Sequence, residues 1–161
     1  MDCPADVPPL AAGEALVRAA RRYIGTPFHW GGANRHGMDC GGLILAALHD
    51  LGWTGWEPAN YGRQVPPFAL TAALNRFCDR VDIHAPLTLY NTEGAALMRE
   101  GDILLFAVGG RPQHLAIANG RGGMIHTHEG AGRVIEQPID SGWMRRLIGV
   151  WRWRGEWEAD E

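Results

Sequence analysis

Lysine is absent from this chain: all fifteen basic residues are arginine, which we read as a mark of GC-rich coding rather than of function. No basic block occurs anywhere, and the net charge at pH 7 is −3; both argue against a nucleic-acid partner. No apolar run approaches the roughly 20 residues of a membrane span, so no membrane insertion is expected. The start, Met1-Asp2-Cys3-Pro4-Ala5-Asp6, is acidic and lacks the charged and apolar regions of a secretory signal. Synthesis in the cytoplasm without a signal peptide is therefore expected, and Cys3 is not expected to carry a lipid. Cysteine is scarce. Cys3, Cys40 and Cys78 are odd in number and far apart, which excludes a disulfide framework and any CxxC metal motif, and fits free thiols. Internal repeats and low-complexity segments are also missing.

What is present suits one domain over residues 1–161, with an irregular lead-in over 1–12 and a frayed acidic tail over 155–161. Leu16, Ala19, Ala20, Tyr23 and Ile24 fall on one helical face, predicting a helix from Gly13 to Ile24 that Gly25 and Pro27 stop. Residues 25–38 read as a loop. A second helix is expected from Asp39 to Leu51, with Ile44, Ala47, Leu48 and Leu51 buried and Gly52 just past its end. Trp53, Trp56 and Tyr61 mark a structured loop over 52–67. A third helix is expected from Phe68 to Arg80, with Leu70, Ala73, Leu74, Phe77 and Val81 in phase. Beyond about residue 100 the pattern shortens to β-type runs at Asp102–Val108, Gln113–Asn119, Gly123–His128, Arg133–Gln137 and Leu147–Trp153, separated by Gly, Asn and Pro. Helices first and antiparallel strands second predict an α+β fold.

The chemistry centres on Met38-Asp39-Cys40-Gly41-Gly42, which places one cysteine where a loop becomes a helix. The helix dipole and free backbone N–H groups there favour a thiolate. His114 opens the run His-Leu-Ala-Ile-Ala and shares a strand face with Ala116 and Ala118. Those small side chains leave room for a packed element, and the N-terminus of a helix is the natural candidate. His126 follows twelve residues later, after Asn119-Gly120-Arg121-Gly122-Gly123, a spacing that can return the chain beside His114. Thiol, imidazole and second polar side chain then follow nucleophile–base–orienter logic. A regular strand would put His128 on the same face as His126, so the two compete for the third position. Cys40, His114, His126 and His128 could also hold zinc, although no short ligand spacing supports it; no cofactor or metal is expected. His29, His36, His49 and His84 read as surface or loop residues, and Cys3 and Cys78 as incidental. Trp151 and Trp153 alternate with Arg152 and Arg154, as in a last strand with one buried face.

The stretches Tyr23-Ile24-Gly25-Thr26-Pro27-Phe28-His29-Trp30-Gly31-Gly32 and Gly37-Met38-Asp39-Cys40-Gly41-Gly42-Leu43 resemble the NlpC-type cell-wall cysteine peptidases. So do Gly101-Asp102-Ile103-Leu104-Leu105-Phe106, Gln113-His114-Leu115-Ala116-Ile117 and Met124-Ile125-His126, in the same order. The resemblance implies a papain-like fold, N-terminal helices packed on a C-terminal antiparallel sheet. It implies Cys40 as nucleophile, His114 as general base and His126, rather than His128, as the residue that orients it. The implied substrates are peptidoglycan stem peptides, cut at an amide such as D-γ-glutamyl–diaminopimelate. Phe28 stands where the family usually has tyrosine, and Gly41 where a serine commonly follows the cysteine. With Trp30 as a candidate wall, and Asp39 either meeting a substrate amine or capping the helix, these four are the expected substrate-binding residues.

The form Pro-Gln-His-Leu-Ala-Ile is most similar to the phage-tail and gene-transfer-agent branch. That similarity implies tail or baseplate partners and a place in a virion-like tail acting at the periplasmic cell wall during DNA delivery. A structural tail-tip protein with little activity, or an acyltransferase on the same fold, are the alternatives.

Overall fold

The computed structural model describes residues 9–53, 69–82 and 98–155. Cys3, Trp56, Tyr61, His84, Trp157 and the acidic tail beyond residue 155 lie outside the described residues, as does the expected loop past Trp53.

Helix α1 spans Pro9–Arg21, so it starts ahead of the expected Gly13, and residues 9–12 are helical rather than irregular. Proline is tolerated in a first turn because the N–H it lacks has no partner there. Leu16, Val17 and Ala20 on its inner face are fully buried. Helix α2 covers Cys40–Asp50 with Asp39 as its N-cap, and Gly52 follows its end at φ 86°. Seven consecutive residues, Gly42 to Leu48, are buried, a wider band than the expected stripe. The cause is its central position, in contact with α1, with the loop ahead of it and with the sheet.

One glycine on α2 is sterically required. A Cβ on Gly42 would collide with the Gly32 carbonyl, so the preceding loop can lie against the helix only because position 42 has no side chain. That loop carries a small hairpin, β1 (Ala33–Asn34) and β2 (Gly37–Met38), inside the stretch read as irregular.

Helix α3 runs from Ala69 to Phe77 and buries Leu70, Ala73, Leu74 and Phe77 as expected. It does not reach Arg80. Cys78–Val81 forms strand β3 and pairs antiparallel with β8 (Leu147–Trp153), Cys78 opposite Trp153. Tertiary pairing overrides the helical phase here: Arg154 bonds Asp79 at 2.9 Å, and Arg80 stacks on Trp151 at 5.3 Å.

Strands β4 (Ile103–Val108), β5 (Arg111–Ala118), β6 (Gly123–His126) and β7 (Ile135–Pro138) complete a six-stranded sheet in the order β3-β8-β4-β5-β6-β7. Every neighbouring pair in it is antiparallel. Between β7 and β8 lies a helix that the sequence reading missed, α4 (Ser141–Arg146), whose N-cap Asp140 accepts from the Trp143 N–H at 2.9 Å.

Alternation along β4, β5 and β6 divides two cores. Ile103, Leu105, Leu115, Ile117 and Ile125 pack with α1 and α2, while Leu104, Phe106, Ala116, Ala118 and Met124 pack with Trp143 and Met144 of α4. Each large side chain so buried is worth about 1.5–3 kcal/mol. His114 belongs to the second face, so α2 does not cover it. The Trp143 indole packs on Phe106 and His114 of this face, whereas α2 meets β5 from the side of Leu115 and Ile117.

Asp102, 1% exposed, binds Arg152 through two 2.9 Å bonds and ties the start of β4 to β8. The Gly101-Asp102 block is thus structural. Among the described residues no helix is long and apolar enough to cross a membrane.

Candidate active site

Asp39 organises the Cys40 end of the site. Its Oδ1 accepts from the Gly42 N–H at 2.7 Å, and its Oδ2 from the Gly31 N–H at 2.9 Å. The first bond caps α2; the second ties the Phe28–Trp30 segment to the helix start. Of the two expected roles for Asp39, the capping one is thus filled by Oδ1, while Oδ2 holds the Gly31 backbone.

Cys40, the first residue of α2, is half-buried. The β5–β6 ladder pairs only Ile117 and Ala118 of β5, and upstream of it the Cys40 thiol donates to the Gln113 carbonyl at 3.7 Å. The backbone N–H groups of Leu115, Gly41 and Cys40 itself favour the thiolate, and the Asp39 charge opposes it. Burial outweighs them and pushes the thiol up to about 11. The dipole and N–H groups expected to favour a thiolate are present, but burial of the sulfur is the larger effect.

His114 on β5 and His126 on β6 meet as expected, Nε2 of the first lying 2.7 Å from Nδ1 of the second. They are 4% and 0% exposed. Burial, chiefly, holds His114 well below its ordinary value, with His126, His128 and Arg146 adding to the effect. Burial likewise lowers His126 to about 4. Among the described residues its Nε2 has no hydrogen-bond partner, and the group that favours its charged form is Gln137, on the same sheet face of β7. Two neutral rings sharing one hydrogen bond leave two arrangements: one ring nitrogen donates and the other accepts. His128 lies beyond the end of β6, half-buried, with its ring 5.7 Å from His114 and 5.2 Å from His126. It neighbours the pair without entering the bond.

Cys40 and His114 open into a cavity of about 730 Å³ that Phe28, Trp30, Asp39 and Gly41 also line. Phe28 and Trp30 pack edge to face at 5.0 Å, and Trp30 is 41% exposed. All the expected site residues are therefore gathered here, His126 standing behind His114. The sequence reading did not single out Trp143, Arg111, Glu129 or Arg146, which line the same cavity, or Gln137. Trp143 and Arg146 lie on the short α4, where periodicity gives no signal. His29, His36 and His49 are exposed and Cys78 is buried in β3. Among the described residues no three His, Cys, Asp or Glu side chains are placed to hold a metal ion.

The model of the NlpC/P60 family matches residues 25–152 of this chain. A probable endopeptidase of Corynebacterium glutamicum is 27% identical over 142 residues, covering 87% of this chain and 56% of that protein. The peptidoglycan endopeptidase RipB of Mycobacterium tuberculosis is 26% identical over 155 residues, covering 85% and 52%. The chain thus spans about half the length of these curated relatives. A crystal structure of an NlpC/P60 family protein from Bacillus cereus superposes with a TM-score of 0.65 at 22% identity, over 94% of this chain and 42% of that one. The NlpC/p60 domain of the peptidoglycan hydrolase SagA gives 0.53 at 24% identity, over 86% and 96%. The shared architecture is the papain-like α+β fold.

Proposed function

The chain belongs to the NlpC/P60 family, and from that membership we propose that it is a cysteine peptidase that hydrolyses amide bonds of peptidoglycan stem peptides. The observation that carries this reading is that His114 and Cys40 open into one cavity while His126, buried behind, bonds His114 at 2.7 Å.

The chemistry follows from the tautomers. When His114 donates its Nε2 proton to His126 Nδ1, the lone pair of His114 Nδ1 is free to act as base. In the reverse arrangement that nitrogen carries a proton and cannot. His126 thereby orients His114 and keeps it in the useful form. Because burial leaves thiol and imidazole neutral, the sulfur loses its proton to His114 as it attacks the substrate carbonyl carbon. Backbone N–H groups at the start of α2, that of Cys40 first, hold the oxyanion. The tetrahedral intermediate collapses: the C–N bond breaks and the His114 proton passes to the leaving amine. A thioester remains on Cys40. Water, deprotonated by His114, attacks it and releases a carboxylic acid, and the proton returns to the sulfur.

In its finer form the proposal takes D-γ-glutamyl–diaminopimelate as the bond cut. It takes phage-tail or gene-transfer-agent proteins as partners and the periplasmic wall during DNA delivery as the place of action. The support for this setting is the Pro112-Gln113-His114-Leu115-Ala116-Ile117 form.

Defined muropeptides incubated with the protein and its Cys40→Ala variant, with products identified by mass spectrometry, test the reading. Hydrolysis at one stem-peptide amide is expected from the parent and none from the variant, with His114→Ala slower by about 10²–10⁴-fold. A parent protein that leaves every muropeptide intact overturns it, as does transfer of the acyl group to an amine rather than to water.

A further inference from the structure

Arg146 ends α4 and lines the cavity. Its Nε donates to the Gly142 carbonyl at 3.1 Å, and its guanidinium carbon stands 4.2 Å from the centre of the Trp143 ring. Trp143 in turn packs on His114 at 5.1 Å, His126 at 5.2 Å and His128 at 5.7 Å. The guanidinium is thus mounted on the histidine cluster through an indole, and among the described residues its two terminal amino groups have no hydrogen-bond partner. Arg111 adds a second positive charge to the same cavity.

Neither arginine is ion-paired among the described residues. Of the two acids lining the cavity, Asp39 is engaged by backbone N–H groups at both oxygens, and Glu129 lies beyond ion-pair range of either arginine. The lining balances two acids against two arginines, yet among the described residues neither guanidinium has a carboxylate within ion-pair distance. The arrangement carries a cost for catalysis, since the Arg146 charge disfavours protonation of His114 and His128. A permanent cation beside a group that must accept a proton makes chemical sense when the substrate brings the counter-charge.

Building on the hydrolase reading above, we propose that the Arg146 guanidinium, reinforced by Arg111, is the binding site for a free carboxylate of the substrate beside the scissile amide. Two parallel N–H···O bonds from a stacked, pre-oriented fork suit a carboxylate and not a carboxamide. In a γ-linked D-glutamyl residue the α-carboxylate is free and lies next to the bond cut; amidation removes its charge. The substrate class is therefore the unamidated stem peptide. The bound anion neutralises Arg146 and makes the base stronger when substrate is present, coupling recognition to activation.

The test compares two stem peptides that differ only in a D-glutamyl α-carboxylate or α-carboxamide. The wild-type protein is expected to favour the carboxylate by at least about tenfold in kcat/KM, the worth of one charge-assisted hydrogen bond or more. Arg146→Gln abolishes that preference, chiefly through KM, while Arg145→Gln, at an exposed position outside the cavity, retains it. Equal cleavage of both peptides by the wild type overturns the proposal, and so does an Arg146→Gln variant that keeps the preference. Calorimetry with Cys40→Ala measures the same preference as binding, without turnover. Carboxylate-selective binding by a protein that cleaves nothing sinks the hydrolase reading and leaves the arginine site standing; cleavage without selectivity does the reverse.

Discussion

Acid should unfold this protein partly through one residue, His126. The ring is 0% exposed, and burial lowers it from 6.5 to about 4. The neighbour that favours its charged form, Gln137, is itself uncharged and too weak to offset burial. A group whose folded value is depressed contributes stability that is whole above its unfolded value and lost as the pH falls toward the folded one. For His126 that window runs from about 6.5 down to about 4. Linkage over this interval removes about 1 kcal/mol by pH 6, about 2 by pH 5 and about 3 by pH 4. His114, buried beside it, and Glu136, held low by its bond to Arg21, also favour the neutral-pH fold over the acid one. Both remain in a His126→Asn variant, so the difference between the two proteins reports His126 together with its effect on His114. Urea unfolding followed by circular dichroism at pH 7, 6, 5 and 4 measures it. The variant, whatever its stability at pH 7, should lose about 3 kcal/mol less than the parent on going to pH 4. Parallel curves within a few tenths of a kcal/mol would refute the argument that a buried, neutral imidazole is what the acid form breaks.

The neutral thiol makes a second expectation: alkylation of Cys40 by iodoacetamide, read by mass spectrometry of its peptide, should rise about tenfold per pH unit from pH 7 to 10, toward a midpoint near 11. A plateau already reached below pH 8 would show a thiolate–imidazolium pair instead. Removing the cap with Asp39→Ala deletes the bonds to Gly42 and Gly31 and should cost about 1–2 kcal/mol. That lowers the melting temperature by roughly 2–8 °C, with Asp39→Asn recovering only part of the loss because its amide keeps one acceptor oxygen for the two N–H groups. An alanine variant that melts with the parent contradicts the capping role.

Cys40, His114 and His126 were legible as one candidate cluster because each sits in a local pattern with a physical meaning: a cap before a helix, a histidine on an alternating strand, a glycine-rich turn between two strands. That His126 bonds His114 while His128 stands clear of the bond follows from where β6 ends, a boundary that periodicity does not reveal. Helix α4 was hidden because its six residues make less than two turns. Strand β3 was hidden because Val81 continues the apolar phase of α3, and only pairing with β8 draws Cys78–Val81 out of the helix. The sequence shows that His114, Ala116 and Ala118 share a face open to a helix, but not that this helix is α4. The reactivity of Cys40 was the subtlest loss, since the dipole is local and readable, whereas the burial that outweighs it is assembled from the whole fold.

Gly42 lines no part of the cavity, yet it sets the cavity's shape. Any side chain there must push Gly32 away, and the displaced loop carries Phe28 and Trp30 with it. Genetic drift at this position is therefore felt as a change of substrate, not merely as a loss of packing. The site is guarded from its far side by an atom that does not exist, and an engineer who wants to reshape the aromatic wall can begin at a residue no ligand will ever touch.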